Sequence, residues 1–390
     1  MKHFFKLLDP MAVMPFTLRC LSFFGLRGRH PWHFRVGMFL VLGLITVPKV
    51  VFGYRSRIDL IIRGVSELLF DALIDSRVII FAFKRTEFER LITILRREFN
   101  KVNTLNSNSP LIKIVEISNR KIDKYCKRYV LYVMLAVSLF FWPPVAQSVT
   151  IWYHHQHDSN GTNLELVTIM EQEFYWLDIR GNTIHYIIYI VFALPSHHYS
   201  AAFFTLSGLI MYSSIKSITT LFEVVSTRLA TLHELCNDEL HQELAELVKM
   251  HIDSLRCIEL LENISHLGIV IQIVDCIAIW ILMFLSLNAN FNLNSISLLV
   301  LLIVMTGETY TLCRLGTELS SASLAIADAI YSCHWIQMPV DVRRKLAFMM
   351  RMAQKRKGLT AANFYFVDVQ QFANIAQRSY SIFIVLKDVI

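Results

Sequence analysis

Apolar residues along the chain gather into seven blocks, near 36–53, 60–83, 129–151, 183–210, 264–287, 295–313 and 362–386. A bilayer core of about 30 Å takes about 20 mostly apolar residues as helix, so each block is long enough to cross one. Between blocks the pattern changes to amphipathic helix. RTEFERLITILRREFNKV places Phe88, Leu91, Ile92 and Leu95 at helical spacing, with basic residues on its other faces. TRLATLHELCNDELHQELAELVKMHIDSLRCIELLENI repeats Leu at three- and four-residue steps, with Glu and Asp between. GTELSSASLAIADAIYSCHW reads the same way until Pro339 interrupts it. The span helices are thus expected to run on past the bilayer and to pack on one another there.

Composition supports a membrane class: 54% of the 390 residues are hydrophobic and 18% are charged. A soluble domain averages about 25% charged. The net charge of +7 does not point to nucleic acid, because its carriers sit between the apolar blocks. With the N-terminus in the cytosol, the inner segments 1–35, 84–128, 211–263 and 314–361 hold 30 of the 38 Lys and Arg residues. That is the positive-inside bias, and an odd number of spans then places Ile390 outside. No removable signal peptide is read: Asp9 and Pro10 cut the first apolar stretch short, and Pro15 to Leu26 is expected to lie at the inner surface. The sequon Asn160-Gly161-Thr162 falls in the longest outer loop, which makes Asn160 a glycosylation candidate. All seven cysteines fall in inner segments or spans, so no structural disulfide is expected.

Two blocks carry polar residues in register. In the second, Arg63, Glu67, Asp71 and Asp75 are each four residues apart and form one stripe. Ionisable groups at that depth must face protein or water. Ion pairs knitting helices together, a gating network or a polar rim to a pocket would each satisfy them, and the first is the plainest reading. Asp275 and Glu308 are read the same way. In the last block Gln370, Asn374 and Gln377 share a face, and three- and four-residue steps carry it on to Tyr380 or Ser381, Ile384 and Lys387. Packing within a bundle and the lining of a pore both fit that face. HHQHD at 154–158 lacks the frame of a metal site and is read as a solvated outer loop. No phosphate-cradling glycine loop, HExxH or nucleophile elbow is present, and the chain is read as non-enzymatic, with no cofactor.

The segment from Cys313 to Leu386 resembles the insect odorant receptors, which are seven-span ligand-gated cation channels. The matching pieces are GTELSSASLAIADAIYSCHW with Tyr331 and Trp335, RRKLAFMMRMAQKRKGLTA, Phe372, and the ending Ser379-Tyr380-Ser381 with Phe383 and Leu386. That ending is typical of odour-tuning subunits; the Gln-Phe of the related gustatory receptors is absent. The resemblance implies an all-α membrane protein with seven transmembrane helices, a cytoplasmic N-terminus and an extracellular C-terminus. Its parts would be a cytoplasmic segment (1–35), spans one to six (36–313), a cytoplasmic anchor helix (314–361) and a pore-lining helix (362–390). It further implies a tetramer with the shared odorant co-receptor in the plasma membrane of a sensory dendrite. The outer constriction would then include Phe383 or a neighbour, with Leu386 and Lys387 at the mouth. A lysine there repels cations, which favours a heteromer whose other subunits supply neutral residues; an anchor reaching to the interface is the alternative.

A volatile ligand requires an apolar cavity with few polar handles. Pro143-Pro144 and Pro195 remove backbone hydrogen bonds in the third and fourth spans and make room for one. The candidate lining is Leu68, Phe141, Trp142, Val145, Tyr186, Tyr189, Ile190, Phe192 and Thr306. A G-protein-coupled receptor is the competing seven-span class, and the inward N-terminus and the absence of Asp-Arg-Tyr and Asn-Pro-x-x-Tyr argue against it. A secondary transporter would show inverted repeats, and none is visible.

Overall fold

The computed structural model describes residues 9–26, 37, 58–104, 109–157, 164–171, 174, 176–289, 294–362 and 364–387. Apart from Gly37, the first expected span (36–53) lies outside them, as does Asn160. In chain order the helices are α1 (Pro15–Phe23), α2 (Ile58–Phe83), α3 (Arg85–Asn103), α4 (Pro110–His157) and α5 (Thr183–Ala230). They continue as α6 (Asn237–Ala289), α7 (Asn294–Ser332), α8 (Val340–Ala353) and, after a short hairpin, α9 (Val369–Lys387).

Local chemistry sets several boundaries. Asn182 caps α5, its Oδ1 accepting from the N–H groups of Ile184 at 2.9 Å and His185 at 3.3 Å. Gly25, at φ 67°, closes α1 with the Leu26 N–H on the Leu21 carbonyl at 2.9 Å and the Gly25 N–H on Ser22 at 3.0 Å. The prolines of α4 and α5 sit inside continuous helices. Lengths of 48, 48 and 53 residues make α4, α5 and α6 about 70–80 Å long, more than twice a bilayer core. Among the described residues four helices, α4 to α7, are apolar and long enough to cross a membrane. The charges of α2 and the polar groups of α9 keep these two from so plain a signature.

The largest buried core is not confined to the apolar halves of the helices, which it enters through Val133, Phe204 and Val304. It gathers α1, α3, α8 and the extended ends of α4 to α7, through residues such as Phe88, Leu95, Val115, Phe222, Leu244, Leu319 and Leu346. There water drives burial. The apolar halves instead display hydrophobic stripes outward, on α4 Leu131, Leu135, Leu139, Trp142 and Val149, and on α5 Ile184, Ile188 and Val191. Lipid tails are as apolar as these side chains, so nothing forces them inward. Arg228 ties α5 to α6 within the extended layer by a fork onto Glu243, at 2.6 and 2.7 Å.

Three expectations are corrected. The segment from Pro15 to Leu26 does not lie on a surface: α1 buries Phe16, Leu18 and Leu21 against α4 and α5, since it is apolar on too many sides to remain uncovered. Residues 154–157 are the last turn of α4 rather than a loop, and His157 Nδ1 lies 2.9 Å from the Tyr153 carbonyl. Among the described residues no His, Cys, Asp and Glu cluster is placed to hold a metal. The last helix begins at Val369, not at 362. Ala362 turns at φ 51° between strands β1 (Thr360–Ala361) and β2 (Tyr365–Phe366), and Asp368 caps α9 through the Gln371 N–H at 2.8 Å.

The extended layer contains a pH-sensitive residue. His251 on α6 is 3% exposed and packs on the Phe222 ring, and burial lowers its pKa from 6.5 to about 4. The unfolded chain therefore binds a proton below about pH 6.5 that the folded chain refuses until about pH 4, so stability falls as pH drops through that window. The loss between pH 7 and pH 5 should be about 2 kcal/mol. A thermal melt at the two values should show it in the native chain and not in His251→Met.

Candidate ligand cavities and the terminal helix

The acidic stripe of α2 resolves into separate duties. Arg63 donates from Nε to Glu67 Oε1 at 2.9 Å and from Nη2 to the Ile169 carbonyl at 2.6 Å. The other Glu67 oxygen accepts the Glu171 N–H at 2.7 Å, and Glu171 is paired in turn with Arg180. This network clamps the segment 164–171 onto α2. About four turns beyond Arg63, Arg77 makes a second knot: Nη1 lies 3.0 Å from Glu308 Oε1 on α7, and Nη2 lies 3.2 Å from Oε2. Ser207 of α5 accepts from Arg77 at 3.2 Å, and the Tyr129 hydroxyl of α4 donates to Glu308 at 3.3 Å. One ion pair thereby joins four helices, the helix-knitting role expected of Glu308. Asp71, Asp75 and Asp275, expected to share that role, make no ion pair among the described residues.

Two cavities flank the knot. The smaller, about 80 Å³, lies near mid-span between α2, α4, α5 and α7, walled by Phe70, Asp71, Val133, Phe140, His197 and Val304 among others. The larger, about 550 Å³, lies toward the extended layer, with Arg77, Tyr129, Tyr212, Gln272 and Glu308 on its wall. Of the nine expected lining residues only Phe141 borders the smaller cavity. Phe141, Val145, Tyr186, Tyr189 and Ile190 do come together, but in a packed outer cluster with Leu166, Ile169 and Met170. The Tyr189 hydroxyl there accepts the Met170 N–H at 3.3 Å, and the Tyr186 hydroxyl donates to the Val167 carbonyl at 3.0 Å. Trp142 and Phe192 point outward, 53% and 44% exposed. Leu68 is half-buried outside both walls, and Thr306 accepts from Trp280 Nε1 at 2.7 Å. Phe70, Val133, His197 and Phe204 were not foreseen. The one signal for them is their place beside the charged stripe or within about three turns of a noted proline.

The terminal helix α9 packs on α6 and α7 by one side only. Ile375 and Ser379 are buried on that side, and Phe372 rests on Trp280 and Tyr310. Tyr380 and Phe383 lean on Phe284 with ring centroids 6.1 and 5.3 Å apart, and Asn374 donates to Gln371 at 3.3 Å. Leu386 is half-buried, whereas Gln377, Ser381, Ile384 and Lys387 are exposed. The polar face read from the sequence is in large part the one a single chain leaves uncovered.

The comparisons with known proteins agree with this architecture. The structure is similar to the insect olfactory receptor OR5 from Machilis hrabei in complex with eugenol, with a TM-score of 0.74 at 16% identity, covering 93% of this chain and 92% of that one. In sequence the chain is 19% identical to odorant receptor 30a of Drosophila melanogaster, over 98% of this chain and 99% of that protein. It is 26% identical to the odorant receptor coreceptor of Harpegnathos saltator over 80 residues, 20% of this chain and 17% of that protein. The model of the family described as 7tm odorant receptor matches residues 58–380. With the overall fold and that match agreeing, the chain belongs to the insect odorant receptor family, whose members are transmembrane receptors of olfaction and not enzymes.

Proposed function

We propose that the chain is an odour-tuning subunit that assembles with an odorant co-receptor into a cation channel gated by a small volatile. In this reading seven spans cross the plasma membrane of a sensory dendrite, with the N-terminus inside and the C-terminus outside. The observation that carries it is α9: its packed side faces α6 and α7, while Gln377, Ser381 and Ile384 stand uncovered on the other. Polar groups at that depth require protein or water, and copies arranged about an axis would turn the uncovered faces toward one path. The smaller cavity is the proposed odorant site. It touches α2, α4, α5 and α7, so a ligand that fits one arrangement of these helices better than another shifts a closed–open equilibrium.

Expression with and without a co-receptor, recorded under voltage clamp against a volatile panel, tests the proposal. Currents should require both subunits. Ile384→Cys should make them sensitive to a membrane-impermeant thiol reagent applied outside. Of the native cysteines only Cys236, in an inner segment, is exposed, so the background should be silent. Second-messenger responses without current, or a reagent-insensitive Ile384→Cys channel, would defeat the pore assignment.

A further inference from the structure

Resting on the proposed odorant site, we infer that the ligand it selects is a small protonated amine, held by Asp71. The charges around the smaller cavity do not balance. Glu67 also borders it, but both of its oxygens are taken, one by Arg63 and one by the Glu171 N–H, and Glu171 is matched by Arg180. Arg77, the next cation along α2, is spent on Glu308. Asp71 lines the cavity and has no hydrogen bond or ion pair among the described residues. A carboxyl group in an apolar chamber without a cation is costly, and an ammonium ligand supplies what is absent.

Two further features point to the same occupant. Phe70, Phe140 and Phe141 stand around the chamber, and aromatic faces attract a cation as they do not attract an acid or an alkane. His197 of α5 also lines the chamber, with its Nε2 buried and unpartnered, and its ring rests 5.9 Å from that of Phe140 and 6.0 Å from that of Phe141. A neutral imidazole nitrogen can accept a second N–H from an ammonium group whose first is on Asp71. A carboxylic acid would meet the unmatched carboxyl of Asp71 instead and find no cation on the wall to receive it. Size restricts the class further. About 80 Å³ is roughly half of an apolar cavity that takes up benzene, so the fit is to an amine of about four heavy atoms.

The test pairs propylamine with propan-1-ol on the full receptor co-expressed with a co-receptor, alongside thermal-shift binding of both compounds to the purified chain. Propylamine should evoke current and stabilise the chain at concentrations where propan-1-ol does neither. Asp71→Asn should raise the half-maximal propylamine concentration about 10- to 100-fold, the range expected for one charged hydrogen bond. Asp75→Asn, on the same stripe but outside the cavity wall, should leave it unchanged. If Asp71→Asn does not fold, His197→Phe in its place should weaken propylamine selectively. Equal responses to the two compounds, an unaltered propylamine response in Asp71→Asn, or no propylamine binding overturns the amine assignment. Propylamine binding without current upholds it and sinks the channel reading; currents to neutral volatiles alone do the reverse.

Discussion

Gly316→Ala is expected to destabilise the receptor by about 3 kcal/mol or more, although helix propensity by itself would favour the alanine by about 1 kcal/mol. A methyl group built on Gly316 would stand 1.9 Å from the Val367 carbonyl oxygen and 3.1 Å from its carbon. Backbone, not a flexible side-chain end, is what it meets. Val367 lies at the entry to α9, where the Val369 N–H donates to Thr317 at 3.1 Å and Arg356 pairs with Asp368 at 2.8 Å. Relief of the clash therefore has to lift the start of the terminal helix away from α7. A thermal melt of the purified chain should show a midpoint lower by several degrees, and channel activity should fall with it. Gly268→Ala is the matched control: its nearest neighbour would be Ile80 Cδ1 at 3.9 Å, so it should be neutral or mildly stabilising. Equal melting of the two variants would remove Gly316 as the latch between extended layer and terminal helix.

How much of this was legible in the sequence follows from which interactions are local. Helix positions were, because period and length speak within one segment: blocks at 183–210 and 264–287 sit inside α5 and α6, and the amphipathic stretch at 85–102 lies within α3. The onset of α9 was not, because the hairpin before it is held partly from outside, by Thr360 on Glu262 of α6. The ligand site was the least legible part. Aromatic residues near proline predict a lining, yet Tyr186 and Tyr189 satisfy their hydroxyls on the segment 166–170 and pack shut. A cavity is what packing leaves over, and no single helix encodes it. The charged stripe on α2 was visible from the start. Its division into one arginine–glutamate pair and two carboxyls, Asp71 and Asp75, without a partner among the described residues needed Glu171, which lies 104 residues from Glu67, and Arg180, which pairs with Glu171.

Loss of either half of the Arg77–Glu308 pair is expected to cost about 3–5 kcal/mol, the cost of leaving one buried charge unmatched. Both side chains are about one-tenth exposed, and the guanidinium makes three contacts of 3.0 to 3.2 Å with the carboxylate. Arg77→Met leaves Glu308 with only the Tyr129 hydroxyl; Glu308→Gln leaves Arg77 with Ser207 and the Phe204 face. The double variant strands neither charge, so it should recover half or more of the loss, giving a coupling of about 2 kcal/mol or more in a double-mutant cycle. Because the knot holds α2, α4, α5 and α7 one turn beyond the Ile74 and Val304 wall of the smaller cavity, the double variant should also separate stability from gating. Melting would return toward that of the native chain while the half-maximal odorant concentration stays shifted, since four helices once fixed by a directional pair would be held by packing alone. Strict additivity of the two single losses would show that the charges act separately and that the knot couples nothing.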